Sequence, residues 1–429
     1  MNSCRVAIDL GAGSGRIFCG TPENFKEIHR FPNTWIFDET LASIREGLAK
    51  LTGRHIDSVS CDSWAQDFGL LGKDGELLYA PVSYLSGRAD AVPDRIAATV
   101  AEEELFRLGG IRRLNAISTL AQWKYMTEAE PAVLDRAARL LPVADLVNAQ
   151  LCGRGVLNFS LASAAGLLTP DGGRRCNTEL LHLLGLNPAL VDPECPPPDV
   201  IGTIVSGRAS PSELAGIPVI SGIGHDTAAA FYGCGLEPGE VVLSLGSWGM
   251  LGAATAGGAR EDSAVIGIVP GRCARIVSCQ GMRLLQHCVA EWRAAGCWPG
   301  YPAFDAEVEN SDFPGVFPAA EIRCPPPPGG ILEEIARHCT PPPRTPAEFG
   351  RAVCRSVATA IVSGVETLER AENFRCRQLK VCGGGLNDAN LMAELRHQLK
   401  TPVVPICREA AVRGNLLMQE KVAANRHLC

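Results

Sequence analysis

No apolar run in this 429-residue chain approaches the length needed to cross a bilayer. The amino terminus carries one early Arg and a very short apolar stretch ending at Asp9, which is not the layout of a secretory signal. A cytoplasmic location, with no membrane partner, is the resulting expectation. Basic blocks are missing as well. Lys and Arg are scattered and the formal net charge is −7, so nothing tracks a phosphate backbone and nucleic acid is not an expected partner. The 18 cysteines include no C-x-x-C pair, H-E-x-x-H is absent, and Cys273, Cys279 and Cys288 follow no metal-ligand rhythm. Most are expected to be small, buried and reduced. What remains is an ordinary globular composition, 46% hydrophobic and 20% charged, in a chain long enough for two or three domains.

Against that background, glycine is informative where it clusters. Val6, Ala7, Ile8 and Leu10 read as a buried strand feeding a turn of small residues, Gly11, Ala12, Gly13, Ser14 and Gly15. Backbone N–H groups in such a turn approach phosphate oxygens closely because no Cβ intervenes. Asp9 interrupts the apolar run, and beside phosphates a buried Asp suits a magnesium ion held through water. An ordinary strand and hairpin, with Asp9 capping a turn, explains the same residues. A second cluster, Gly383, Gly384 and Gly385, lies where a strand gives way to a helix, a place where backbone can lie against a purine or face an anion; a tight turn is the alternative. Between them, GHDTAA at residues 224–229 sets a lone acid after a strand.

The organisation suggests two similar halves. Arg16 to Gly20 and Phe25 to Phe31 complete a meander, and Asp38 is placed to cap a helix with Leu41, Ile44, Leu48 and Leu51 on one face. Ile56 to Asp62 reads as a strand and residues 68–79 as a hairpin turning at Asp74 and Gly75. Residues 94–150 are mostly helical in pattern, and 240–254 repeat the strand and small-residue turn. Proline marks linkers at 193–200 and within 324–346. Thr345, Pro346 and Glu348 then make a capping box ahead of a helix that aligns Phe349, Val353, Val357, Ile361, Val365 and Leu368.

The ordered set IDLGAGSGR, DSWAQDFGLL, LLPVADLVNAQLCG, GHDTAA, LSLGSWGMLG, VCGGGLND and REAAVRGN resembles the FGGY carbohydrate kinases over essentially the whole chain. The resemblance implies an α/β fold of two ribonuclease-H-like, actin/hexokinase-type domains with an interdomain active-site cleft. Residues 1–218 would form the N-terminal domain, with the sugar site and first phosphate loop. Residues 219–429 would form the C-terminal domain, with the catalytic Asp and the adenine-binding glycines. The implied reaction moves the γ-phosphoryl group of ATP to a sugar hydroxyl, with Asp226 as catalytic base and Mg²⁺ near Asp9 and Asp226. ATP would contact Ala12, Gly13, Ser14, Gly15, Arg16, Gly246, Ser247, Gln286, Gly383, Gly384 and Asn387. The sugar would contact Trp64, Ala65, Gln66, Asp67, His225 and Ser278. Arg16 supports the phosphate turn or pairs with a neighbouring acid. Asp226 also has a plain structural reading as a helix cap, as Trp64 does as core and His225 as a satisfied buried residue.

Departures from the family pattern gather at the sugar. The substrate loop DSWAQDF carries Ala65 and Gln66 where glycine and valine are usual, so a methyl and an amide are expected in the pocket. Ser278 replaces an asparagine, and Asp388 replaces another after the triple glycine, where an ionised carboxylate cannot donate a hydrogen bond. The expected partners are a small-molecule sugar and ATP, with a homodimer one option. Two other classes explain the same motifs: a catalytically weak sugar- or nucleotide-binding protein on this fold, and an actin-like ATPase that activates an iron–sulfur partner, for which the cysteines are the motive.

Overall fold

The computed structural model describes residues 4–426 except 208, 259, 261, 262 and 323–329. The whole proline run at 324–328 therefore lies outside the described residues, with Cys324 in it, as does Cys429. The chain opens with the expected meander: β1 (Arg5–Leu10), β2 (Ser14–Thr21) and β3 (Asn24–Pro32). The helix Phe37–Ala49 follows, burying Leu41, Ile44 and Leu48. It starts one residue before Asp38, with Ile36 at the N-cap and no side-chain cap bond. Asp38 instead sits in the first turn, where its charge favours the helix dipole. β4 (Ser58–Ser63) runs parallel to β1. A separate three-stranded sheet holds β5 (Phe68–Leu71), β6 (Leu77–Tyr79) and β7 (Arg139–Pro142). β5 and β6 are antiparallel, and Gly75 in their turn has φ 79°, which only glycine adopts freely. β8 (Asp199–Thr203) and β9 (Pro218–Ser221) complete the first large sheet in the order β3-β2-β1-β4-β9-β8.

The chain divides by contacts into two compact units. The first comprises residues up to 235, 255–274 and 411 onward; the second comprises 236–254 and 275–410. The expected boundary at 218/219 falls short because β9, which begins at 218, still pairs with β4 in the first sheet. The first unit therefore also keeps Asp226, which opens the helix Asp226–Gly233. It regains the chain's last helix, Ala410–Arg426, where Val412 and Leu416 pack with Ala7 and Phe18.

The second unit carries β10 (Val241–Leu245), most of β11 (Trp248–Thr255) and, after β12 (Ala264–Val269) in the first unit, most of β13 (Arg272–Gln280). β14 (Leu379–Cys382) is parallel to β10, and β15 (Val403–Pro405) to β14. The strand order within the unit is β13-β11-β10-β14-β15. The helix Pro346–Glu372 begins with the full capping box: Thr345 Oγ1 accepts from the Glu348 N–H, and the Glu348 carboxylate accepts from the Thr345 N–H. All six residues of its expected apolar face are buried.

Among the described cysteines, Cys4 and Cys19 form a disulfide, which the sequence did not suggest, and most of the free ones are buried. Burial pushes thiols such as Cys61 and Cys354 up, away from the reactive thiolate. Thr345→Ala should cost about 1 kcal/mol of stability, a drop of roughly 2–4 °C in Tm. Calorimetry checks this; an unchanged Tm would mean that the capping box contributes little.

Candidate functional site

In the first unit, strand register builds the site. Asp9 on β1 is paired with Arg16 on β2 and with Asp62 on β4, so three charged residues lie in a row across the sheet. Asp9 and Asp62 are both buried. An Arg16 guanidinium nitrogen lies 2.5 Å from Asp9 Oδ2, the acid-pairing alternative for Arg16. β4 ends at Ser63, which bridges to His225, and its N–H donates to the Gly224 carbonyl at 2.8 Å. That bridge places Asp226 at the first position of its helix. The Thr227 N–H and hydroxyl both donate to Asp226 Oδ1, so one carboxylate oxygen is fixed and Oδ2 is left out of these bonds.

The electrostatics follow first from burial. Burial pushes Asp226 up to about 6, against the opposing pull of the Thr227 bonds and Arg16. Asp62 is raised well above the carboxylate range by burial and then by Asp9; Asn415 lowers it by donating to Oδ2 at 2.6 Å. Its Oδ1 is buried and has no hydrogen-bond partner among the described residues. His225 is driven down to about 4 by burial, so its ring is neutral at physiological pH. Its backbone N–H donates to Ser160 Oγ, and its ring Nε2 lies 3.5 Å from Asp226 Oδ1.

The small-residue turn after β1 is exposed at Ala12 and Gly13. Asn33, which sequence reasoning missed, fastens it: its side-chain amide donates to the Gly11 and Ala12 carbonyls at 3.3 and 3.4 Å, and its N–H to Gly13. Ser14 Oγ accepts from Arg30. Gly15 is required by packing, since a Cβ there would stand 2.2 Å from the Phe31 ring.

The loop expected to take the substrate leaves the end of β4. Trp64 Nε1 donates to Asp67 Oδ2 at 2.9 Å, and Gln122 donates to Asp67 Oδ1 at 3.2 Å and to the Gln66 carbonyl at 3.0 Å. Arg88 in turn donates to Gln122 Oε1. Burial raises Asp67 to about 6, against these hydrogen bonds. Gln66 is half-buried. Ala65 differs from expectation: it is 1% exposed within the apolar core, so its methyl fills packing space rather than a pocket. Gln122, the one amide in the helix Thr119–Ala129 and buried between Ala121 and Trp123, was the signal that sequence reasoning passed over.

In the second unit, the turn between β10 and β11 exposes Gly246 and Ser247. Their carbonyls accept from the N–H groups of Met282 and Arg283, which start the helix Arg283–Ala294. Ser247 Oγ donates to Gln286 at 3.2 Å, joining two of the expected nucleotide contacts. Ser278 is exposed on β13. After β14 the glycines differ in duty: a Cβ at Gly383 (φ 95°) or Gly385 would collide with Leu245, whereas at Gly384 it meets open space. Gly384 and Asn387 are exposed. Asp388 caps the helix Ala389–Gln398 by accepting from the Leu391 N–H, a structural use for its carboxylate.

Residues 21–233 match the N-terminal domain of the FGGY family of carbohydrate kinases. The chain belongs to that family and is a carbohydrate kinase. Among its relatives, a rhamnulokinase from Pectobacterium carotovorum is 29% identical, covering 99% of this chain and 90% of its own. One from Bacteroides thetaiotaomicron is 27% identical, covering 96% and 89%. The fold is shared with a xylulose kinase from Rhodospirillum rubrum, with a TM-score of 0.76 at 18% identity over 99% of this chain and 90% of that one. It is also shared with Plasmodium falciparum glycerol kinase, with a TM-score of 0.76 at 14% identity over 97% and 89%.

Asp62→Asn keeps an oxygen for Asn415 and removes a buried carboxyl. A carboxyl whose folded pKa is raised weakens the fold as pH climbs from the unfolded value of about 4 through the folded one. The variant should therefore gain Tm, and more at pH 8 than at pH 5. Calorimetry at both values reads this; a loss at pH 8 would contradict the assigned burial penalty.

Proposed function

We propose that this carbohydrate kinase transfers the γ-phosphoryl group of ATP to a hydroxyl of a ketose, L-rhamnulose or a related sugar. The observation that carries the reading is Asp226: a carboxylate one-third exposed, anchored through Oδ1 and pushed to about 6, at the head of a helix beside neutral His225. Ionised at neutral pH, it accepts the proton of the attacking hydroxyl as the new O–P bond forms and the bond to the ADP oxygen breaks. The rhamnulokinase relatives support the choice of sugar, and the altered substrate loop widens it to related ketoses.

Within this reading the turn at Ala12–Arg16 and the pair Gly246 and Ser247 take the phosphates. Gly384 and Asn387 take the adenine side with Gln286, and Gly383 shapes the turn. Trp64, Gln66, Asp67 and His225 take the sugar, with Ser278 an exposed contact. Asp9 and Asp226 fit Mg²⁺ as hard oxygen donors. Among the described residues no three His, Cys, Asp or Glu side chains converge as a complete ligand set. That suits an ion that keeps water and takes phosphate oxygens, and when bound it neutralises phosphate charge.

The test is ADP release from Mg·ATP across L-rhamnulose, L-fuculose and D-xylulose, with Asp226→Ala alongside. Turnover on at least one sugar, reduced at least about 100-fold in the variant with Tm and ATP binding retained, is the expected result. Saturable sugar or ATP binding without turnover in the wild type would instead favour the binding-protein reading.

A further inference from the structure

Trp35 holds a backbone conformation that its side chain disfavours. Its φ is 61°, and the other non-glycine residue with positive φ among the described residues is Asn373, an asparagine at a helix C-cap, where that geometry is well tolerated. Such strain persists only where surroundings over-determine it. Here they do. The Trp35 N–H donates to Asn33 Oδ1 at 3.0 Å, while the Asn33 amide and N–H hold the carbonyls of the turn at Gly11 to Gly13.

The consequence is a placed ring. Trp35 meets Trp64 edge-on with centroids 5.1 Å apart and Tyr84 at 5.7 Å. All three rings are half-buried. Trp64 is tied by its Nε1–H to Asp67, and the Tyr84 backbone N–H also reaches that carboxylate, which is 1% exposed. An apolar wall thus stands beside a buried acid whose other oxygen is held by Gln122. Aromatic faces take C–H groups while acids take hydroxyls, the two surfaces of a sugar. Residues 33–35 join the small-residue turn at one end to this wall at the other.

We propose that Trp35 is a specificity-determining residue for the acceptor sugar, presenting its ring to the C–H face of a ketose at a position fixed by Asn33 relative to the phosphate turn. The inference rests on the sugar-kinase reading above. Its test is steady-state kinetics of the full chain with L-rhamnulose and D-xylulose, each against Mg·ATP, comparing wild type with Trp35→Gly and Trp35→Phe. Glycine adopts the positive φ without strain and removes the ring, so the loop is kept while the wall is lost.

With Trp35→Gly the KM for the preferred sugar should rise about tenfold, equivalent to about 1.4 kcal/mol, with the KM for ATP within about twofold and Tm retained. Trp35→Phe should recover most of the sugar affinity. Unchanged sugar KM in the glycine variant overturns the proposal. Sugar and ATP KM values rising together with a lowered Tm also overturn it, by assigning the ring to packing. A wild type showing no sugar-stimulated ADP release overturns the kinase reading itself, and this inference with it, so the two failures are distinguishable.

Discussion

The buried carboxylates of the first sheet cannot all be charged at ordinary cost, and the surrounding chain is arranged around that constraint. Asp9 and Asp62 are register neighbours on parallel strands, and Asp226 follows the bridge at the end of β4. Arg16 compensates Asp9 from the adjacent strand, and Asn415 gives Asp62 a neutral donor. Burial raises the proton affinity of both Asp62 and Asp226, well above the usual range at Asp62, where Asp9 adds to it, and to about 6 at Asp226. Under the proposed function a base needs a pKa near the working pH, and burial of Asp226, opposed by Thr227 and Arg16, sets its carboxyl there.

That constraint explains why the chain returns at its end to its first sheet. Asn415 and Gln419 are fully buried on the last helix, where Gln419 donates to Asn415 and to the Val6 carbonyl and accepts from Ser58. Gly414 permits the approach, because a Cβ there would stand 1.9 Å from the Ala229 carbonyl of the helix that Asp226 opens. The terminal motif RGN is therefore a support for the carboxylates: glycine for the close crossing, asparagine for Asp62, and Arg413 donating to the Gly233 carbonyl. In the second unit the corresponding economy is glycine at Gly281 and Gly383, where backbone crosses backbone too closely for any Cβ.

Local signals in the sequence were reliable where the partners are local. The meander, the hairpin at Gly75, the capping box at Thr345 and its apolar helix face all depend on residues within a few positions of each other. The Gly-rich turn, Asp226 at the head of its helix and the loop after β4 were placed by motif, and their roles are part of the proposed function. What escaped depends on distant chain. Asn33, Gln122 and Asn415 act on partners 22, 55 and 353 residues away. The last helix carries its buried amides inward, so it shows no apolar stripe to read. Asp38 was misplaced because the buried Phe37 extends the helix by one residue, and Ala65 because the bend between β4 and β5 sets its methyl in the core.

The most direct measurement of the central claim is the pH dependence of sugar-stimulated kcat/KM between pH 5 and 8. Asp226 at about 6 must be ionised to accept the hydroxyl proton, so the rate should fall below about pH 6 and level above it. Asp67 titrates in the same range, so the profile is repeated in Asp67→Asn, where the acid limb should persist. A rate flat from pH 5 to 8, or a limb abolished by Asp67→Asn, would contradict the assignment of Asp226 as the base.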